Sequence, residues 1–172
     1  APEFRELQPP TPGLGNQPLK PRPVVINEIM YHPLSQNRDD EYIELHNTGA
    51  SAVNMAGWQL TGAVSFVFPA ATSLAPGGYL VVSRNRARFL TRYPAVAPAA
   101  LLGDNTGSLA DSGDRIRLRA PQNPAFPTLN LMEMDEVEYR DGGSWGVWAD
   151  GGGSSLELTD PLSDNRRAAN WA

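Results

Sequence analysis

The sequence predicts an all-β fold, an antiparallel sandwich or barrel, from three observations. Short runs rich in Val, Ile, Tyr and Phe recur from Val24 onward, and clusters of Gly, Pro, Asn and Asp separate them at close spacing. Several of the runs also alternate apolar with polar residues. The chain has 172 residues, within the range of roughly 100–200 that builds one domain with its own core. It contains no Cys, which excludes disulfides, thiolate nucleophiles, zinc ribbons and iron–sulfur clusters.

The elements follow in order. Residues 1–23 hold seven of the 16 prolines and almost no branched apolar residue, so they are expected to form a Pro-rich linker or extended arm before a domain spanning 24–172. Strands are expected at Val24–Met30, Glu41–Asn47, Trp58–Thr61, Val64–Phe68, Tyr79–Ser83, Arg115–Arg119, Asp135–Arg140 and Ser154–Leu158. Arg115-Ile116-Arg117-Leu118-Arg119 and Glu136-Val137-Glu138-Tyr139-Arg140 alternate in the manner of strands with one wet face. In Tyr42–His46, Ile43 and Leu45 share a face opposite Tyr42, Glu44 and His46. Val64–Phe68 and Tyr79–Val82 are nearly continuously apolar and are expected to be more deeply buried. Ala75-Pro76-Gly77-Gly78 fits a type II turn, with Pro fixing φ and Gly supplying the positive φ that follows. Between Ser83 and Tyr93 the β pattern breaks; Phe89, Leu90 and Tyr93 share a helical face and Pro94 stops it, predicting one short helix.

Charge is unevenly spread over a net −5. Residues 24–83 carry five acids and one base, residues 84–100 four Arg and no acid, and residues 101–172 twelve acids and six bases. A net acidic chain lacks the basic stripe of a phosphate-backbone binder, so no nucleic-acid partner is expected. No apolar run approaches the ~18 residues of a membrane helix, so no membrane insertion is expected.

The order of motifs resembles the lamin-tail domain in its bacterial form. The resemblance rests on Val24-Val25-Ile26-Asn27-Glu28-Ile29-Met30-Tyr31, then Asp40-Glu41-Tyr42-Ile43-Glu44-Leu45-His46-Asn47, then Val53-Asn54-Met55-Ala56-Gly57-Trp58. Phe66-Val67-Phe68-Pro69 and Leu74-Ala75-Pro76-Gly77-Gly78-Tyr79 follow, with Leu109–Asp114, Asp135-Glu136-Val137 and Gly152–Leu158 in the C-terminal half. It implies an immunoglobulin-like antiparallel β-sandwich with one short helix. It also implies a module of a larger exported or surface protein, extracellular or at the cell surface, with adjoining domains. Where many bacterial relatives have a tight Asn-Gly hairpin, this chain carries the long loop Ala120–Asn130 with three prolines.

Catalysis finds no support. The two histidines, His32 and His46, lie in no HExxH and beside no Gly-x-Ser-x-Gly elbow, and no P-loop or GxGxxG occurs. His46 reads as a surface or edge residue. The acids Glu28, Asp39, Asp40, Glu41 and Glu44 crowd two strands and the loop between them, and Ca²⁺ prefers such oxygen ligands; Ca²⁺ is the one cofactor the residues suggest. Asp111-Ser112-Gly113-Asp114 offers further carboxylates. Against this, no EF-hand pattern occurs, and Asp and Gly are ordinary turn formers.

Arg84, Arg88 and Arg92 are candidates for an acidic partner, or else the solvated side of a packed helix. Trp58 reads as core and Trp171 as packing the C-terminal end. Trp145 and Trp148, in a Gly-rich loop, are the candidate ligand platform. The expected function is a non-catalytic interaction or spacer module binding a protein or cell-surface polysaccharide. The alternative is a Ca²⁺-stabilised carbohydrate-binding or adhesion domain.

Overall fold

The computed structural model describes residues 23–123 and 125–172. The expected Pro-rich arm lies outside them except for Pro23. The described residues form an immunoglobulin-like β-sandwich with a single α-helix. Its strands are β1 (Val24–Met30), β2 (Tyr42–Asn47), β3 (Val53–Asn54), β4 (Gln59–Gly62), β5 (Val64–Val67) and β6 (Ser73–Leu74). They continue with β7 (Tyr79–Ser83), β8 (Leu101–Leu102), β9 (Thr106–Gly107), β10 (Gly113–Pro121), β11 (Leu131–Arg140) and β12 (Leu156–Glu157), and α1 (Arg86–Arg92) follows β7. One five-stranded sheet runs β12-β1-β2-β7-β8 and the other β11-β10-β4-β5-β9; β3 and β6 pair separately. Among the described residues, every pairing between these strands is antiparallel except β7 with β8.

Alternation along the strands creates the core. Ile26, Ile29, Ile43 and Leu45 from the first sheet meet Leu60, Ile116, Leu118, Val137 and Tyr139 from the second, all fully buried. The outward residues of β10 and β11 are charged and register opposite one another, Arg115 across from Glu138 and Arg117 across from Glu136. Arg117 Nε lies 2.6 Å from Glu136, and Arg115 Nε donates to Glu138 at 3.1 Å. Opposite charges on facing positions support the pairing where no core does.

The first sheet is covered on its second face too. Met30, Tyr42, Val81, Phe89 and Leu101 form a smaller apolar cluster in which α1 supplies Phe89. The Phe89 and Tyr93 rings both meet Tyr42, the former edge-on at 5.3 Å between centroids. The helix begins at an Asn85 cap, whose side chain accepts from the Arg88 amide at 3.0 Å. On the central strand β2, His46 is buried against the paired Tyr79 of β7, their rings stacked at 4.2 Å, with Nδ1 3.1 Å from the Gly78 carbonyl oxygen. That corrects the expectation of a surface or edge histidine.

The expectation for Val64–Phe68 is also corrected. Val64 and Phe68 are buried but Val67 is 58% exposed, because β5 belongs to the sheet with an open outer face. The 75–78 turn forms as expected, with Gly77 at φ +64° and the Gly78 amide donating to the Ala75 carbonyl at 2.9 Å. The expected loop 120–130 is the tip of the β10–β11 hairpin; Gln59 Nε2 reaches Pro127 O at 3.5 Å, so part of it folds back toward β4.

Candidate functional site

The acidic residues of the 39–41 segment and the basic residues of α1 belong to one network. A 3-10 turn, Arg38–Asp40, is capped by Asn37 and packs against α1. It presents the buried Asp40 carboxylate to Arg88, which donates from Nε at 2.6 Å and Nη2 at 2.9 Å. Arg92 Nη1 adds a bond at 3.2 Å and Ser35 Oγ a further one. Burial alone would raise the Asp40 pKa, but the Arg88 and Ser35 hydrogen bonds and the two guanidiniums hold it below the usual carboxylate range. Arg84 Nε stands 3.6 Å from Asp39. The arginines expected to meet an external acidic partner therefore meet the acids expected to meet a metal. Folding brings a loop between β1 and β2 against a helix far along the chain, Asp40 and Arg88 being 48 residues apart, which local sequence does not show.

Glu28 and Glu44 lie elsewhere, on the paired strands β1 and β2. Glu28 stands opposite Glu44 on one side and Glu157 on the other, a row of three glutamates across the sheet. Glu28 accepts from Tyr42 Oη at 2.5 Å and Ser155 Oγ at 2.6 Å, and Glu44 from Asn27 Nδ2 at 3.0 Å. Burial, with Glu28 and Glu157 nearby, pushes Glu44 up to about 7 despite the Asn27 bond. Among the described residues no group of three or more His, Asp or Glu side chains is placed to hold a metal ion.

The two loop tryptophans part company. Trp145 is buried with its ring 6.1 Å from Trp171, whose Nε1 donates to the Asn165 carbonyl at 2.7 Å. This corrects the expected Trp145–Trp148 platform: the C-terminal segment supplies an apolar wall that takes Trp145 into the core. Trp148 is 72% exposed. A Cβ on Gly152 would lie 3.1 Å from its ring, and one on Gly153 would lie 3.7 Å from Leu34 Cδ2, so the two apolar side chains flank consecutive glycines. The adjoining Gly151 faces the His32 ring. His32 Nδ1 is 2.7 Å from Asp150 Oδ1, a bond that raises the histidine pKa, and its Nε2 is 3.2 Å from Gln36 Oε1.

Beside His32 opens a small pocket that sequence reasoning missed. It has a volume of about 40 Å³ and is lined by Tyr31, His32, Gln36, Arg38, Glu41 and Asp111. Tyr31 and Glu41 are 1% and 2% exposed. Glu41 Oε2 accepts from the Leu109 amide at 2.9 Å, while Glu41 Oε1 and the Tyr31 hydroxyl have no hydrogen-bond partner among the described residues. Burial pushes the Glu41 pKa up to about 7, against the Leu109 bond and the charges of Arg84 and Arg38. Burial, with Asp150, Asp141 and Asp111 near, raises Tyr31 to about 12. The only signal for this pocket in the sequence is two carboxylates seventy positions apart.

Comparisons agree with this architecture. A family model described as Lamin Tail Domain matches residues 17–141. The crystal structure of a DUF4876 family protein from Bacteroides thetaiotaomicron VPI-5482 is similar in fold, with a TM-score of 0.52 at 13% identity. The likeness covers 73% of this chain and 56% of that one, so this chain spans little more than half of that protein. No curated protein matches the sequence.

Proposed function

The chain belongs to the lamin tail domain family, and on that premise we propose that it is a non-catalytic interaction or spacer module of a larger exported bacterial protein. The observation that carries a binding role is the surface around Gly151–Gly153, where Trp148 is 72%, Val147 69% and Leu34 66% exposed. Large apolar side chains kept together in water mark contact surfaces, and Trp is prominent among residues that dominate interfaces. The non-catalytic reading is supported by the uses found for the polar side chains. Asp40 holds a helix, Glu28 binds Tyr42 and Ser155, and His46 is stacked in the sheet. The exported bacterial setting, extracellular or at the cell surface, is supported by the resemblance of the motif order to bacterial members of the family.

A photoreactive amino acid at position 148 of the full-length protein tests this. Irradiation on intact cells should yield a discrete crosslinked product that is absent with the same group at the exposed Ala71. No product at position 148 would leave a spacer alone. Turnover of an ester, peptide, glycosidic or phosphodiester substrate would overturn the non-catalytic reading.

The exposed Trp148 ring near the His32–Asp150 pair also favours a second reading, a carbohydrate-binding surface. Tryptophan emission should then shift with one member of a polysaccharide panel and stop shifting in Trp148→Ala. A flat response across the panel, with and without Ca²⁺, would sink this reading.

A further inference from the structure

We propose that the pocket between Tyr31, Glu41 and Asp111 is a receptor for the ammonium group of a lysine side chain on a partner protein. This rests on reading the domain as an interaction module and deepens it by naming the chemistry the module recognises.

Two polar groups at the pocket, Glu41 Oε1 and the Tyr31 hydroxyl, belong to side chains more than nine-tenths buried and have no partner among the described residues. A buried polar group without a partner costs free energy comparable to a lost hydrogen bond, so a ligand that satisfies both gains accordingly. Both accept hydrogen bonds, and the Asp111 carboxylate lines the same pocket. An ammonium carries three diverging donors and no acceptor, matching three oxygen acceptors. Of the cations nearby, Arg38 donates to Ser108 Oγ at 3.3 Å, Arg84 pairs with Asp39 at 3.6 Å and His32 bonds Asp150 and Gln36, so none of them bonds Glu41 Oε1 or the Tyr31 hydroxyl.

Competing occupants fit less well. A divalent cation wants six or more oxygens, and among the described residues no group of three acids or histidines is placed for one. A guanidinium is a broad planar fork, whereas the volume of about 40 Å³ suits a compact head. The lysine is assigned to a protein because the exposed apolar surface adjoins the pocket: Gly151 packs on His32, which lines it, and Gly152 and Gly153 carry Trp148 and Leu34. The net charge of −5 favours the approach of a basic partner.

The experiment uses the whole chain labelled with ¹⁵N at pH 8, where Glu41 is ionised, and Nα-acetyl-lysine methylamide as the probe. The Leu109 amide, bonded to Glu41 Oε2, is the reporter. The probe should move it saturably with a dissociation constant on the order of 1–10 mM, the range of one anchored group. The Nε-acetylated probe should leave it in place, and the arginine analogue should bind about tenfold more weakly, a difference of ~1.4 kcal/mol. Glu41→Gln should weaken lysine binding at least several-fold. Because burial could make that variant unstable, Asp111→Asn at the exposed rim provides a second test and should weaken binding in a folded protein. No saturable shift at 100-fold excess, equal response to the acetylated probe, or a Leu109 shift with Ca²⁺ that displaces lysine would each overturn the proposal. A crosslink at position 148 with no lysine response would leave the interaction reading standing and remove the pocket from it.

Discussion

Arg88 illustrates how one side chain settles the meaning of two sequence features. As a residue in a run of arginines it reads as a basic surface; in the fold it is the bidentate partner of a carboxylate whose side chain is 3% exposed. Removing it leaves a buried charge short of two donors, which is costly, whereas Arg92 supplies one longer bond from a more solvated position. Arg88→Ala is therefore expected to destabilise by about 2–3 kcal/mol and Arg92→Ala by about 1, compared by urea unfolding. Equal costs would mean that Arg92 carries the Asp40 charge equally. Glu44 shows the opposite balance. Its carboxylate is raised by burial and by like charges on both neighbouring strands. Glu44→Gln keeps an acceptor for Asn27 and removes the repulsion, so at pH 8 it is expected to raise stability by roughly 1 kcal/mol and at pH 4 to change it little. A destabilised variant at pH 8 would show that the charge itself is needed.

At the scale of elements, legibility followed the faces. The alternation in β10 and β11 placed Ile116, Leu118, Val137 and Tyr139 inward because each residue's direction is fixed by the two-residue strand period. The same logic put Ile43 and Leu45 into the core but misread His46, since a polar position opposite the core face looks wet until something covers it. What covers His46 is Tyr79, whose ring stacks on it from the neighbouring strand β7. The short pieces β3, β6, β8 and β9, two residues each, leave no periodicity to detect; β8 and β9 form against the longer β7 and β5, and β3 and β6 only against each other. The loop around Trp145 was misread for a related reason: glycines on both sides suggest exposure, but Trp171 and Ala149 provide the apolar surroundings that bury it.

For the whole molecule, the buried acids give stability a definite pH dependence. Glu41 and Glu44 titrate from an ordinary 4.5 when unfolded to about 7 when folded. Between these values the native state holds more protons than the unfolded chain, so stability falls as pH rises from about 4.5 to 7 and then levels from these two groups. His32, raised by its Asp150 bond, adds stability that is complete below 6.5 and lost as pH rises through its folded pKa. Asp40 and Asp164, both lowered, act at the other end: their contribution is present above 3.8 and lost as pH falls through their folded values. The urea midpoint is thus expected to be higher at pH 5 than at pH 8, with a second decline below pH 3.8. A midpoint that climbs from pH 5 to 8 would contradict the burial of these carboxylates. The sequence by itself determined the class of fold, the long strands, the single helix and the family, because strand period, turn chemistry and motif order are local properties. Tertiary structure alone decided which charges meet, which tryptophan is buried, and that Tyr31, Glu41 and Asp111 line one pocket. Those outcomes depend on contacts between segments far apart in the chain, and on desolvation, which has no value until the neighbours are in place.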